Sequence, residues 1–406
     1  MKVVVTGGDG FCGWPTSLHL ANRGHEVLII DDGSRRRIAD DLAAQSLTPI
    51  ASLEHRVITW NTEFAGNLQF QSLNIAENFD GLRSALRQFE PDAIVHLAAQ
   101  RSAPYSMGDQ INGYYTIFNN ILAIQNVLHL LASEFWGVRL VHLGSIGVYG
   151  YSDHPGVIPE GLVDFRYVAG NERPARVRAR FPVNPGSLYH ASKAQIGVLL
   201  DYYQSMFGLD VVDLYQGIVW GTQTAETQMH ENFVNRFDYD EYYGTVVNRF
   251  MVQGSLGLPL SVYGKGKQTR AFIHISDTVK CIETALTATR RNSPGVQVYH
   301  QTAETLSVSA VAETVARFTG AEIGTIPNPR GEVEDHRFAV ASNRFRDLGL
   351  RPHTLADDLL QEMQQTVFRY RTRLNGDVIS PSVIWRHADH RSSGNSGPGP
   401  FSTENA

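Results

Sequence analysis

Short apolar runs rich in β-branched residues recur through the first half of the chain, separated by stretches whose apolar residues return every three or four positions. The runs Lys2 to Val5, Glu26 to Ile30, Ala93 to His96, Arg139 to Leu143 and Val211 to Leu214 read as strands. Trp14 to Arg23, Phe79 to Phe89 and Asn119 to Phe135 read as helices between them. This alternation predicts an α/β fold, a doubly wound parallel sheet with helices on both faces. Ligands of such sheets bind outside the carboxyl ends of the strands. Attention therefore falls on Gln100 to Met107, Ser145 to Gly150 and Gln216 to Thr224.

Past Trp220 the pattern breaks into shorter, irregular pieces rich in aromatic and polar residues, such as Asp238-Tyr-Asp-Glu-Tyr-Tyr243. A smaller α+β lobe closing over the sheet edge is expected. Residues 1–217 read as a dinucleotide-binding Rossmann domain and 218–386 as a substrate-binding lobe, some segments of which return to the first domain. Tyr151 to Gly186 mixes proline, glycine and arginine in an excursion of a length that is usually functional or mobile. After Arg386 the chain has little apolar surface to bury, so 387–406 reads as a disordered tail.

The turn after the first strand carries chemistry. Gly7, Gly10 and Gly13 fall in a G-x-x-G-x-x-G spacing between an apolar strand and a helix. Glycines there allow a tight turn, close approach of the backbone to a pyrophosphate, and packing of the helix on the strand. The second strand ends in Asp31, about 20 residues on, where an acidic side chain accepts hydrogen bonds from both ribose hydroxyls. A 2′-phosphate would meet a like charge at Asp31, so the expected cofactor is NAD rather than NADP. Arg35, Arg36 and Arg37 complicate this, since an arginine can neutralise a 2′-phosphate; the plainer reading is a solvated basic loop. Cys12, inside the turn, reads as a small packing residue.

Far downstream, Tyr189-His-Ala-Ser-Lys193 places a phenol and an ammonium one helical turn apart on the same face. The ammonium stabilises the phenolate and lowers the tyrosine pKa toward working pH, making Tyr189 a general base. Ser145, after the fourth of these strands, is placed to hydrogen-bond the same substrate hydroxyl. A Y-x-x-x-K pattern also occurs by chance in many helices; here it is coupled to the glycine turn and the serine.

Composition narrows the partners. The 406 residues are 42% hydrophobic and 19% charged, with formal net charge −6, and no basic run suggests nucleic acid. No apolar stretch approaches the roughly 18 residues of a membrane span, and no signal-peptide pattern opens the chain. The two cysteines, Cys12 and Cys281, make neither a disulfide framework nor a zinc site. The expectation is a cytoplasmic protein with no metal and no membrane association.

These features resemble the extended short-chain dehydrogenase/reductase superfamily, and within it the UDP-sulfoquinovose synthases. The likeness lies in Gly7-Gly-Asp-Gly-Phe-Cys-Gly-Trp-Pro15, Gln100-Arg-Ser-Ala-Pro-Tyr-Ser-Met107, Gln216-Gly-Ile-Val-Trp-Gly-Thr-Gln-Thr224, Asn235-Arg-Phe-Asp-Tyr-Asp240, Tyr263-Gly-Lys-Gly-Lys-Gln-Thr-Arg270, Pro327-Asn-Pro-Arg330 and Pro381-Ser-Val-x-Trp385. It implies a nucleotide-diphosphate sugar substrate, a homodimer, and NAD reduced and reoxidised within one turnover. The cofactor set it implies adds Phe11, Cys12, Asp32, Arg35, Arg36, Asn74, Ile75, Asn119, Gln216, Tyr189 and Lys193 to the glycines and Asp31. The substrate set is Arg101, Ser102, Ser145, Tyr189, Gln216, Thr245, Asn248, Arg249, Gln268, Arg270 and Arg330. Arg101 and Arg270 are forks suited to pyrophosphate or sugar oxygens, and Asn248 or Gln253 suits a base. His274 and Asp277 fit a role in orienting the loop near Arg270.

The chain also departs from the family. UDP-sulfoquinovose synthases typically carry Gly-Thr-Met-Gly where this chain has Gly144-Ser-Ile-Gly147, and a glutamate where it has Ala99. Nucleotide-sugar 4,6-dehydratases carry an Asp-Glu pair where Ile146 and Gly147 stand, which disfavours dehydration of that kind. The leading expectation is a sulfoquinovose synthase-like enzyme that oxidises C4, with His190 making an extra proton transfer. The alternatives are a 4-epimerase or dehydratase without a sulfite step, and a non-catalytic NAD-binding regulator.

Overall fold

The computed structural model describes residues 1–150, 156–168, 175–289, 295–330, 332, 336–356, 359–381 and 383–385; the expected tail at 387–406 lies outside them. Seven parallel strands form the main sheet. In chain order they are β1 (Lys2–Thr6), β2 (Glu26–Asp31), β3 (Leu68–Ser72), β4 (Ala93–His96), β5 (Arg139–Ser145) and the strands Val211–Gln216 and Gln297–Gln301. Across the sheet they run Gln297–Gln301, Val211–Gln216, β5, β4, β1, β2, β3. The strand order reverses between β1 and β4, which opens a crevice at their carboxyl ends.

Core packing explains the elements. Val3, Val4 and Val5 are wholly inaccessible, because helices cover both faces of a parallel sheet. One apolar layer gathers Val4, Leu82, Leu86, Leu128 and Leu200, and the other Val3, Trp14, Leu18, Trp60 and Ile282. The helix Phe79–Phe89 is capped by Asn78, which accepts from Gly81 N–H, and it buries Leu82, Ala85, Leu86 and Phe89 along one stripe. Helix Leu188–Phe207 starts at Ser187, whose hydroxyl accepts from His190 N–H, and stops at Gly208 in the left-handed region.

Two expectations are corrected in extent. The helix expected over Asn119 to Phe135 spans Gln110–Ser133, capped by Asp109 accepting from Asn112 N–H. Its first turns carry Ile111, Tyr114 and Phe118 at helical spacing, an apolar stripe that faces solvent rather than the core. The excursion at 151–186 contains an antiparallel pair, Val163–Tyr167 with Ala175–Ala179. Exposure of nearly every side chain in that pair removes the two-residue alternation that marks a strand.

The later part of the chain supplies the strand Gln297–Gln301 to the main sheet and builds a second cluster around Trp220, Phe237, Phe250, Phe272, Val311 and Met363. Three strands, Ile218–Trp220, Thr269–His274 and Glu304–Ser307, form a small sheet there. Among the described residues no helix is long and apolar enough to cross a membrane.

Leu128, inaccessible at the centre of the first apolar layer, tests the packing of the long helix. Leu128→Ala should lower unfolding stability by about 2–5 kcal/mol, measured by urea denaturation at saturating NAD.

Candidate active site

The glycine turn is built around close backbone approach. Gly7 has φ +76°, and a Cβ there would lie 2.6 Å from Ala98 N at the end of β4. At Gly13, which opens the helix Gly13–Asn22, a Cβ would lie 2.0 Å from Gly7 O. The cradle and the helix N-terminus behind it fit a dinucleotide pyrophosphate. Asp31 accepts from Asp9 N–H at 2.9 Å and Gly33 N–H at 2.8 Å. Burial, then the neighbouring Asp9 charge, pushes its carboxyl up to about 6.

The three arginines of the basic loop divide. Arg35 lines the cleft, 3.1 Å from Asp238 and 3.4 Å above the Tyr243 ring. Arg37 is turned to Asp32. Arg36, expected on the cofactor, does not line the cleft: it is held by Asp9 at 2.5 Å and by the carbonyls of Ile50 and Ala51. Asp32, Asn74, Ile75, Asn119 and Gln216 do line it, with Phe11 and Cys12. Asn74 Oδ1 also accepts from Ala76 N–H, and Gln216 Nε2 reaches Cys12 Sγ at 3.8 Å. Burial pushes the Cys12 thiol up to about 11, so it stays a packed thiol.

Ser145, Tyr189, His190 and Lys193 converge on the same cleft, Ser145 from the end of β5 and the others from helix Leu188–Phe207. Ser145 Oγ accepts from Gly147 N–H at 3.1 Å, which leaves its own hydroxyl proton for a substrate oxygen. Lys193 is buried, donates to Leu143 O at 2.7 Å, and is pulled down by burial to about 8. His190 Nδ1 lies 2.9 Å from Ser187 Oγ. Burial, and next the charges of Arg330 and Arg270, hold the His190 pKa down to about 3, so the ring is neutral at working pH. A Cβ at Gly147 would meet the His190 ring at 2.2 Å. The imidazole therefore fills the space that a side chain at 147 would need.

On the opposite wall, Arg101 pairs with Asp238 at 2.7 Å and lies above the rings of Phe11 and Tyr243. Arg270 and Thr245 also line the cleft; Arg270 is bonded to Glu332 and His336. Ser102 is corrected: it is buried, caps the helix Ala103–Ser106 and donates to Tyr242 O at 2.5 Å. Asn248, Arg249 and Gln268 lie outside the cleft lining. Asn248 donates to Asp238 O, Arg249 to Tyr263 OH and Gln268 to Tyr263 O. Gln253 cannot read a base, since both ends of its amide bond Ser261. Arg330 lies over Trp385 at 4.9 Å. Asp277 holds His353 through its backbone and ring, while His274 caps the helix Ile275–Thr287.

Among the described residues, buried polar atoms of this region without a hydrogen-bond partner include Thr245 Oγ1, Asn248 Oδ1, Arg249 Nε and Gln268 Oε1. Buried polar groups are nearly always satisfied, so such a cluster suits a polar ligand. The sequence reading missed Asp238 and Tyr243, which hold Arg35 and Arg101 together. Their traces in the sequence were the alternation of acidic and aromatic residues at 238–243 and, for Asp238, the family-like segment Asn235 to Asp240.

The comparisons agree with this geometry. The model of the NAD dependent epimerase/dehydratase family matches residues 3–299. The chloroplastic UDP-sulfoquinovose synthase of Spinacia oleracea is 38% identical over 95% of this chain and 79% of its own. The UDP-sulfoquinovose synthase of Sulfolobus acidocaldarius is 36% identical over 95% and 98%. Among solved structures, the dTDP-glucose 4,6-dehydratase of Bacillus anthracis with NAD aligns at TM-score 0.65 and 19% identity, covering 91% of this chain and 97% of that one. The UDP-glucose 4-epimerase of Thermus thermophilus with NAD aligns at 0.61 and 23%, covering 92% and 100%. With its glycine cradle, its Tyr189–Lys193 pair and a family match across its first three-quarters, this chain belongs to the NAD-dependent epimerase/dehydratase family.

Proposed function

We propose that this NAD-dependent, nucleotide-sugar-modifying enzyme works as UDP-sulfoquinovose synthases do, through oxidation of the sugar at C4. The observation that carries the reading is the neutral His190 imidazole seated against Gly147 beside Tyr189. It supplies a second proton acceptor that simple oxidation and reduction do not use. The cradle of Gly7, Gly10 and Gly13, with Asp31, would hold NAD, which takes up and returns a hydride.

Ser145 donates to the sugar hydroxyl oxygen, and Tyr189 takes the hydroxyl proton as the C4 ketone forms. Lys193 keeps the phenol acidic by its charge. The ketone acidifies the neighbouring C5–H, and His190 accepts that proton, so hydroxide can leave C6 as water. Sulfite, as hydrogen sulfite co-reactant, then adds through sulfur to C6 and its proton goes to C5; the hydride would return to C4 as Tyr189 gives its proton back to the oxygen. Arg270 and Arg101 serve the substrate's anionic groups, and Thr245, which lines the cleft, serves the nucleotide through Oγ1. We also take the protein as a cytoplasmic homodimer. Two neighbouring helices support the dimer by exposing apolar residues that a second copy would cover, Ile111, Tyr114 and Phe118 on one and Val198, Tyr202 and Met206 on the other.

A second reading, 4-epimerisation, is favoured by Ala99 and Ile146 in the cleft wall, where no carboxylate stands. Product mass separates the two. Incubation of UDP-glucose with sulfite should give the sulfonated sugar nucleotide, whereas an unchanged mass with inverted C4 configuration identifies an epimerase. Ala99→Glu, with Ser145→Thr and Ile146→Met, should increase the sulfite-dependent product, and no gain would remove these positions from substrate choice.

Tyr189→Phe should retain NAD and bind sugar nucleotide while kcat falls by about 10²–10⁴, the usual contribution of a general base. Activity within tenfold of the parent, followed at 340 nm or by product mass, would contradict the assignment. Asp31→Ala should weaken NAD more than the sugar nucleotide and narrow the preference over NADP, as read by titration calorimetry.

A further inference from the structure

Beneath Lys193 runs a buried string of ionisable groups that the chemistry above does not use. His142 on β5 and Asp213 on the strand Val211–Gln216 are register partners across adjacent parallel strands, and both are inaccessible. His142 Nδ1 lies 2.8 Å from Asp213 Oδ1, and its Nε2 lies 3.5 Å from Lys193 Nζ. The other Asp213 oxygen accepts from Arg180 at 2.6 Å. Arg180 also grips both oxygens of Asp201, on the helix that carries Lys193, and donates to Tyr215 OH. Gly144 leaves the room: a Cβ there would lie 2.6 Å from Asp213 Oδ1.

The charges assign the protons. Burial, and next the Lys193 charge, lowers the His142 pKa, so the ring is neutral. Burial works against the Asp213 charge, yet Arg180 and then His142 hold its carboxyl below the usual range. An ionised acceptor at Nδ1 fixes the Nδ1–H tautomer and turns the Nε2 lone pair to the lysine. His96 on β4, held by Thr6 Oγ1 and stacked on His142, is also kept neutral by burial. Of the groups facing Lys193, which also include Tyr189 on its own helix, Asp213 is the one whose charge favours the ammonium.

We propose that His142 and Asp213 are positioning residues for the Tyr189–Lys193 base: Asp213 orients the imidazole, whose lone pair aims the lysine ammonium and keeps it charged. Arg180 ties this pair to the segment that precedes the catalytic helix. The inference rests on the base assignment under Proposed function.

The test is the pH profile of kcat/KM. Asp213→Asn removes the charge that favours protonated Lys193, so the alkaline limb, where Lys193 loses its proton, should move down by about one pH unit. Turnover near pH 8 should fall about fivefold, approaching about tenfold at higher pH, while KM for the sugar nucleotide holds. A profile superimposed on the parent overturns the proposal. Nitrogen NMR of histidine-labelled parent holoenzyme gives an independent readout. His142 as the Nδ1–H tautomer from about pH 6 to 9 supports the proposal, and an Nε2–H or doubly protonated ring overturns it. Activity surviving in Tyr189→Phe would instead bring down the base assignment itself.

Discussion

The cleft depends on one buried carboxylate. Asp9, inside the glycine turn and 3% exposed, is met by Arg36, Arg56 and Arg236, which arrive from three distant segments. Burial opposes its charge, but the bond from Arg36 and the Arg236 charge keep its pKa below the ordinary carboxylate range. Breaking a buried ion pair from one side typically costs about 3–5 kcal/mol, because the partner is left uncompensated. Here three guanidiniums would be left, so the glycine turn, the helices carrying Arg36 and Arg56 and the stretch around Arg236 hold their places together. The turn's backbone amides thus take their positions from contacts well outside the turn.

The stretch from Asn235 to Thr245 extends this clamp across the cleft. Asn235 donates to Phe11 O in the turn, and Asp238 joins Arg35 to Arg101, both of which line the cleft. Tyr243 packs between the two guanidiniums, with Asp240 accepting from its backbone N–H. The cleft residues Arg35, Arg101 and Tyr243 are therefore tied into one strap. A change at either arginine reaches the other through Asp238.

The reaction centre is drier and less acidic than the motif alone implies. Gly147 and Ala99 supply no functional side chain, and the His190 ring occupies the space a residue at 147 would fill. Lys193 and His190 are both shifted toward their neutral forms, chiefly by burial. Under the proposed function, proton transfer would fall to Tyr189 and a neutral imidazole rather than to a pair of carboxyls.

The parallel sheet, the glycine turn and the Ser145, Tyr189 and Lys193 set were legible in the sequence, because each is a local pattern. Burial on two faces writes apolar runs, a backbone that approaches within van der Waals distance requires glycine, and one helical turn fixes the Tyr189–Lys193 spacing. Arg36 was misplaced and Asp238, Tyr243, His142 and Asp213 went unread, because their partners lie 27 to 208 positions away or their pairing depends on strand register. The start of the helix at 110–118 was passed over although Ile111, Tyr114 and Phe118 stand at helical spacing, and only the structure shows that this stripe faces outward. The sequence by itself determined which residue types stand at the strand ends and which could do redox chemistry on a sugar. Only the tertiary structure decided which arginines were already taken by buried carboxylates, since a guanidinium's role is set by the nearest uncompensated charge, and that is a property of packing.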